Sequence, residues 1–437
     1  MAAVGSAVGL GNIWRFPYIC GKYGGGAFLL VFLLFVFFIG MMLMMCEFVI
    51  GRRSRHATVQ AYSTLAPHKR GWRMVGVLGI VTCFFILAQY WVISGWTLSY
   101  FFDAITGRLA QMGQDTEAIK DYFSTFSTSA ARPVVCLAIF AVLTAVVILA
   151  GVQRGIEKVS KLLMPLLVVL LLVMCVRSLT LPGATKGLEY LFYPDFSKLT
   201  AEGVLAALGQ ALFSLSVGMG AMIVYGSYIP ADSNLFRSSM WITASDTFIA
   251  ILSGVAIFPA VFSCGLEPTG GAGLSFCVLP NVFNSMGTLA GIFFASIFFL
   301  LLAIAALTSA ISILETLSAF LIDSGRLKRS SATVLVVCAE VMLAAVVSLG
   351  GGMWSHIHIA GQNFFNFTDR LNSIYLPPLC ALGTVLFLGW VVPSNDVYDE
   401  LSNHGTVKAT FYPLFRFIIR YVAPLALIII FVSTFFS

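Results

Sequence analysis

Hydrophobic positions fill blocks of membrane-spanning length along the whole chain, separated by short polar stretches. A bilayer leaves no water to satisfy backbone N–H and C=O groups, so such blocks read as α-helices. Eleven spans are predicted, at about 1–22, 27–51, 74–103, 133–151, 157–177, 202–228, 240–264, 290–322, 332–349, 362–392 and 413–435. Two of them are poor helices at their centres. The first contains Ala7-Val8-Gly9-Leu10-Gly11 followed by Asn12, and the sixth contains Ser216-Val217-Gly218-Met219-Gly220. Each glycine costs about 1 kcal/mol against alanine in a helix interior.

These two phrases are nearly the same, and each falls in one half of a chain whose spans group as five, five and one. An odd number of helices per repeat inserts the halves in opposite orientations, the inverted-repeat plan of many secondary transporters. The expected architecture is therefore an all-α polytopic membrane protein. It has one transporter domain over 1–437, repeats at about 1–177 and 202–392, and an extra helix at about 413–435. Interrupted helices at membrane depth are tolerated where they line a cavity. Freed amides at a half-helix N-terminus suit a carboxylate, and freed carbonyls suit a small cation or an ammonium group. Together they suit a zwitterion with sodium. The competing reading of such phrases is a close helix-packing face of small residues. The hydroxyl and amide neighbours Asn12, Ser214 and Ser216 favour a site.

Composition agrees: 59% of residues are hydrophobic and 10% charged, which no soluble globular domain matches. The net charge of +6 reads as topology, with no nucleic-acid partner expected. With the N-terminus cytoplasmic, inward loops hold sixteen of the 25 basic residues: Arg52, Arg53, Arg55, Lys69, Arg70, Arg73, Arg154, Lys158, Lys161, Arg237, Arg326, Lys328, Arg329, Lys408, Arg416 and Arg420. That bias fits an N-in, C-out orientation. The nine cysteines read as small packing residues, although Cys264 and Cys277 bracket an outer segment and could pair. No nucleophile–base pair, metal cluster or phosphate loop points to an enzyme. A channel would need a continuous polar pore, whereas the hydroxyls and acids cluster at one depth. A sensor that binds without transporting stays open.

The stretch G-S-A-V-G-L-G-N-I-W-R-F-P-Y at 5–18, with Gly24-Gly25-Gly26-Ala27-Phe28, resembles the opening of the neurotransmitter:sodium symporter family, which has the LeuT fold. Gly209–Gly218 in the sixth span and Ala306-Leu307-Thr308-Ser309-Ala310 in the eighth match it too, in register over essentially the whole chain. Eleven spans resemble the bacterial branch of hydrophobic amino acid transporters, located in the inner (plasma) membrane.

The resemblance implies two sodium ions. One would be held by the Ala7 carbonyl, Asn12, Ser214, Asp246 and the substrate carboxylate; the other by carbonyls of Gly5, Val8 and Ala305 and hydroxyls of Thr308 and Ser309. Every such ligand is a hard oxygen, as an alkali cation requires. The substrate carboxylate would meet the Leu10 and Gly11 amides and the Tyr90 hydroxyl, and its ammonium would face the Ala7 and Phe213 carbonyls and Ser216. Ile86, Tyr90, Phe213, Met219, Ser309, Ser312 and Ile313 would line an uncharged side-chain pocket, so a neutral hydrophobic amino acid is expected. Monoamine members carry Asp where Gly9 stands, which leaves room for a substrate bringing its own carboxylate.

Chloride-dependent relatives use a Tyr and a Ser at positions that here hold Phe32 and Ala250, and an Asn where Asp246 stands. The resemblance therefore implies transport without chloride, Asp246 supplying the negative charge. The alternative places Asp246 nearer the cytoplasm, pairing Arg237. Arg15 and Asp369 resemble an outer gate pair. Asp323 and Tyr228 resemble half of an inner gate, whose arginine partner is expected upstream of residue 1. Gly155 and Pro165 enclose a turn at the start of the fifth span that could unwind to admit water. Glu47 is expected to cap amides of the unwound sixth span; Glu315 and Glu340 have no assigned role.

Overall fold

The computed structural model describes residues 2–151, 156–266, 274–325 and 327–433. In chain order the helices are α1 (Ala2–Ala7), α2 (Phe16–Lys22), α3 (Gly26–Ser54), α4 (Thr58–Leu65), α5 (Arg70–Ile105), α6 (Thr116–Thr128), α7 (Ala131–Leu149), α8 (Lys158–Leu179) and α9 (Ala184–Phe192). They continue as α10 (Ala201–Ser214), α11 (Ala221–Tyr228), α12 (Leu235–Ser263), α13 (Leu279–Ser285), α14 (Thr288–Asp323), α15 (Arg329–Gly350), α16 (Phe364–Val391), α17 (Ser394–Leu401) and α18 (Tyr412–Ser433). Nine of these, among the described residues, are long and apolar enough to cross a membrane unaided. The pairs α1/α2 and α10/α11 supply the other two expected spans, each broken at the glycine phrase.

The short helices α4, α6, α9, α13 and α17 lie in the connections, where hydrophobic blocks alone give no signal. One of them starts at Asp115, whose side chain accepts from the Glu117 and Ala118 amides at 3.0 and 3.1 Å. A hairpin pairs β1 (His358–Ile359) with β2 (Gln362–Asn363), and its turn residues Ala360 and Gly361 take φ of 51° and 78°, the mirror-image geometry that tight hairpins favour. Cys264 and Cys277 are both free thiols.

Two apolar clusters form the interior. One unites α5, α7, α8, α14 and α15; the other unites α3, α10, α16 and α18. The broken helices run between them, with Val8, Leu10 and Met219 in the first cluster and Ala7 and Val217 in the second. Small residues let backbones approach: a Cβ at Gly226 of α11 would lie 2.9 Å from the Phe48 carbonyl oxygen and 3.2 Å from Gly51 Cα on α3. The half-helix α11 is thereby fixed to α3.

Candidate functional site

The sixth span breaks because its backbone turns left-handed three times, at Ser216 (φ 53°), Gly218 (77°) and Gly220 (76°). Glycine adopts that geometry without a Cβ penalty and serine does not. The amides and carbonyls released by the break find partners. Gly218 N–H donates to Glu47 Oε1 at 2.7 Å, as expected for a cap, Thr58 Oγ1 donates to the Gly220 carbonyl at 3.0 Å, and Cys83 Sγ to that of Met219 at 3.1 Å.

In the first span, Asn12 Oδ1 accepts from Gly9 N at 3.0 Å and Tyr90 Oη accepts from Leu10 N at 2.9 Å. Freed carbonyls are met by side chains of other helices. Ser216 Oγ donates to Ser6 at 2.9 Å, Gln210 Nε2 to Gly11 at 2.8 Å, and Ser253 Oγ to Asn12 at 2.6 Å. Side chains of other helices thus meet much of the freed backbone at both breaks, as membrane depth requires.

Two oxygen clusters flank the breaks. In the first, Asp246 is fully buried and its carboxylate accepts from Asn12 Nδ2 at 2.7 Å and Ser214 Oγ at 2.8 Å. The alternative of a solvated Asp246 beside Arg237 does not hold. In the second, Thr308 Oγ1 lies 3.2 Å from the Val8 carbonyl oxygen and 3.0 Å from that of Ala305, and Ser309 Oγ lies 3.5 Å from Val8 O. Gly5 stands beside them: a Cβ there would come 3.7 Å from Thr308 Cβ and 3.2 Å from Ser160 Oγ on α8. Pro165 sits inside α8, five residues beyond Ser160, while Gly155 lies outside the described residues.

Between the clusters is a small cavity lined by Ala7, Gly11, Ile86, Tyr90, Phe213, Ser216, Met219, Ser309 and Ile313. Its walls carry no charge. Ser312 is not among them: its hydroxyl pairs with Tyr225 Oη at 2.7 Å, away from the cavity. Leu10 instead lines a second small cavity stacked on the first, together with Arg15, Gln89 and Asp369.

Arg15 and Asp369 share that outer cavity, yet among the described residues no ion pair joins them. Arg15 donates to Gln210 Oε1 at 3.2 Å and lies 4.4 Å above the Phe213 ring, while Asp369 accepts from Gln89 Nε2 at 2.7 Å. On the opposite side Tyr228 and Asp323 belong to separate links. Tyr228 Oη donates to Glu315 Oε1 at 2.9 Å, and Arg329 grips Glu315 through both oxygens at 2.7 and 3.0 Å. Asp323 accepts from the Ala57 amide at 2.8 Å and meets His56 Nδ1 at 3.1 Å. Gln89, His56, Glu315 and Arg329 were not assigned from sequence, although a carboxylate within a span is itself a signal that a partner exists.

The Tyr228–Glu315–Arg329 link ties the half-helix α11 to α14 and α15. Glu315 is fully buried but Arg329 is about a third exposed, so Arg329→Gln should destabilise the closed inner side by about 2 kcal/mol, the cost of stripping donors from a buried acceptor in a partly wet pair. A lowered thermal midpoint and faster labelling of a cysteine placed inward of Met219 would report it; unchanged values of both would contradict it.

Two broken helices facing each other, with oxygen clusters on both flanks and a closed cavity between, define a secondary transporter of the LeuT-fold class. The model of the sodium:neurotransmitter symporter family matches residues 1–130 and 114–437. The chain is 38% identical to the uncharacterized sodium-dependent transporter YhdH of Bacillus subtilis, covering 99% of this chain and 95% of that protein. It is 36% identical to an uncharacterized sodium-dependent transporter of Haemophilus influenzae, over 100% and 96% of the two chains. The crystal structure of MhsT in complex with L-phenylalanine superposes with a TM-score of 0.90 at 41% identity, over 99% of this chain and 97% of that one. The chain belongs to the sodium:neurotransmitter symporter family. It is accordingly a multi-pass, sodium-dependent transporter and not an enzyme.

Proposed function

We propose that the protein takes up neutral, hydrophobic L-amino acids with two sodium ions and without chloride, in a bacterial plasma membrane with its N-terminus cytoplasmic. The observation that carries this reading is the uncharged cavity of Ile86, Tyr90, Phe213, Met219 and Ile313 set between two groups of hard oxygens. Freed backbone at the breaks serves the amino and carboxyl groups, and apolar walls favour a hydrophobic side chain while penalising a charged one. Met219 is a flexible, polarizable wall able to reshape around aliphatic or aromatic rings. MhsT, whose structure holds L-phenylalanine, supports the same substrate class.

The first sodium would lie among Ala7 O, Asn12, Ser214 and Asp246. Asn12 Nδ2 points at Asp246 while its Oδ1 accepts from the Gly9 amide, so sodium binding requires the Asn12 amide to turn its Oδ1 to the ion and give up the bond to Gly9. Val8, Ala305, Thr308, Ser309 and Gly5 would hold the second, and Ser160 of α8 adjoins it. Unwinding near Pro165, whose ring leaves the carbonyl four residues back without its amide partner, opens that ion to the cytoplasm. Arg15 and Asp369 close the outer side by pairing when water leaves their shared cavity.

A tenfold sodium gradient supplies about 1.4 kcal/mol per ion, and 100 mV adds about 2.3 kcal/mol per net charge. The test is uptake of labelled L-phenylalanine into proteoliposomes under an inward sodium gradient, with chloride or gluconate as anion. Uptake should need sodium, ignore the anion and be competed by leucine, tyrosine and tryptophan but not by glutamate or lysine. Binding without flux would make the protein a sensor, and a chloride requirement would remove the role given to Asp246.

A further inference from the structure

Glu340 sits in the middle of α15, fully buried, and neither carboxyl oxygen has a hydrogen-bond partner among the described residues. Its helix packs against α5, α7 and α14. The same buried face of α15 carries Thr333 toward one end and Ser348 toward the other, and their hydroxyls too lack partners. The three positions fall within a quarter of the helix circumference at about 100° per residue. Buried polar groups are otherwise satisfied almost throughout a folded protein. Unpartnered hydroxyls recur elsewhere, Ser239, Thr243 and Thr247 of α12 among them, but a buried carboxyl with both oxygens unmet marks a place where water or a proton belongs.

The surroundings decide between a metal cation and a proton. An alkali ion needs several oxygens converging on it, and no other side-chain oxygen reaches Glu340. Charged compensation is remote as well. Of the titratable groups on the helices around α15, the Cys83 thiol of α5 lies within electrostatic reach. Arg132 and Cys136 of α7, Asp121 and Tyr122 of α6, and Asp369 and Arg370 of α16 stand toward the Gly350 end, where Thr128 and Phe364 touch the helix. Glu315 and Asp323 of α14 stand toward the Arg329 end. An ionised carboxylate in dry, apolar packing with no counter-charge is strongly disfavoured, so the closed arrangement holds Glu340 as the neutral acid.

We propose that Glu340 is a proton-binding site distinct from the ion sites at the helix breaks: it carries a proton while the bundle is closed and gives it to water when the α5–α14–α15 interface is hydrated. The route is built into the fold. Arg329, about three turns from Glu340, is the residue through which α15 is bound to Glu315 and, through it, to Tyr228 on the half-helix α11. Release of that link frees the end of α15 from which water would reach Thr333 and then Glu340. Cys83 of α5, a helix packed against α15, also bonds the Met219 carbonyl in the sixth-span break, so α5 joins the region of Glu340 to the wall of the central cavity. Closing around substrate therefore dries Glu340 and draws a proton in.

Two measurements on the full chain in nanodiscs test this. In weakly buffered, sodium-free medium with a pH-indicator dye, addition of sodium and L-phenylalanine should cause wild type to take up close to one proton per chain more than Glu340→Gln. The variant should keep phenylalanine binding within about threefold, and Glu340→Asp should retain the uptake. Equal proton counts in wild type and Glu340→Gln overturn the proposal. That arm rests on the amino-acid reading. The second does not: the infrared carbonyl band of a protonated carboxylic acid, isolated as the wild-type minus Glu340→Gln difference in sodium- and substrate-free medium, should be absent in neutral to alkaline medium, where the opened protein is hydrated, and grow in as the medium is acidified. A band that persists unchanged across the titration, or no band, overturns the proposal even if phenylalanine is transported. A titrating band in a protein that binds no phenylalanine leaves the proton site standing and removes the substrate assignment instead. Should Glu340→Gln not fold, the band is identified by its frequency shift in Glu340→Asp, with the same outcomes deciding.

Discussion

Asp246→Asn should raise the sodium concentration needed for half-maximal phenylalanine binding by about ten- to a hundredfold, because an interaction with a charged, buried partner contributes about 1.5–3 kcal/mol. Asp246 is fully enclosed, and its carboxylate is held by Asn12 and Ser214 at 2.7 and 2.8 Å. A sodium ion placed among those groups brings one positive charge into a poorly screened interior. The carboxylate supplies the matching charge at no cost in extra ions. Asparagine preserves the shape and the oxygen but not the charge, so an external anion becomes useful. Chloride should then stimulate the variant while leaving wild type unaffected. Phe32 and Ala250 add no hydroxyl to hold that anion, so the rescue should be partial. A chloride titration of sodium-dependent binding checks both claims; an unchanged sodium requirement in the variant would show that Asp246 does not serve the ion.

The eleven spans were legible because a bilayer imposes a length and a hydrophobicity on every crossing segment, and the described helices begin and end within a few residues of those expectations. Both breaks were legible from their glycines. What the sequence could not convey was partnership between distant side chains. Glu315 and Arg329 are 14 residues apart on either side of a turn, yet nothing in hydrophobic patterning says that one grips the other or that Tyr228 joins them. Ser312 looked like a pocket residue by position, but a helix presents its side chains at fixed angles and this one turns toward Tyr225. The outer pair fell short for a related reason: Arg15 and Asp369 occupy one cavity, and neutral neighbours, Gln210 and Gln89, hold each of them apart. Charge type predicts which residues can meet. It does not say which conformation of a moving protein has them meeting.

Gly9→Ala should weaken phenylalanine binding by about thirty- to several-hundredfold. A methyl group at Gly9 would run into the Ser309 hydroxyl and stand 2.7 Å from Tyr90 Oη. Neither neighbour can yield freely. Ser309 Oγ bonds the Ser6 carbonyl at 3.2 Å beside the second oxygen cluster, and Tyr90 Oη holds the Leu10 amide at 2.9 Å at the start of the second half-helix. Overpacking of this kind costs about 1–3 kcal/mol, and the lost buried hydrogen bond adds about 1 kcal/mol. Both penalties fall on groups proposed to touch substrate or sodium, so they appear in binding more than in folding. Pairing the change with Ser309→Ala removes the worst of three close approaches, leaving Tyr90 Oη at 2.7 Å and the Cβ of residue 309 at 2.9 Å, and should recover part of the affinity, whereas Ser309→Ala alone should weaken sodium dependence. The departure from additivity across the four proteins measures how tightly Gly9 and Ser309 are coupled. Phenylalanine binding within threefold of wild type in Gly9→Ala would mean that the backbone at the first break can step away from Tyr90, and that the closed cavity between the broken helices is not the place where the amino acid is held.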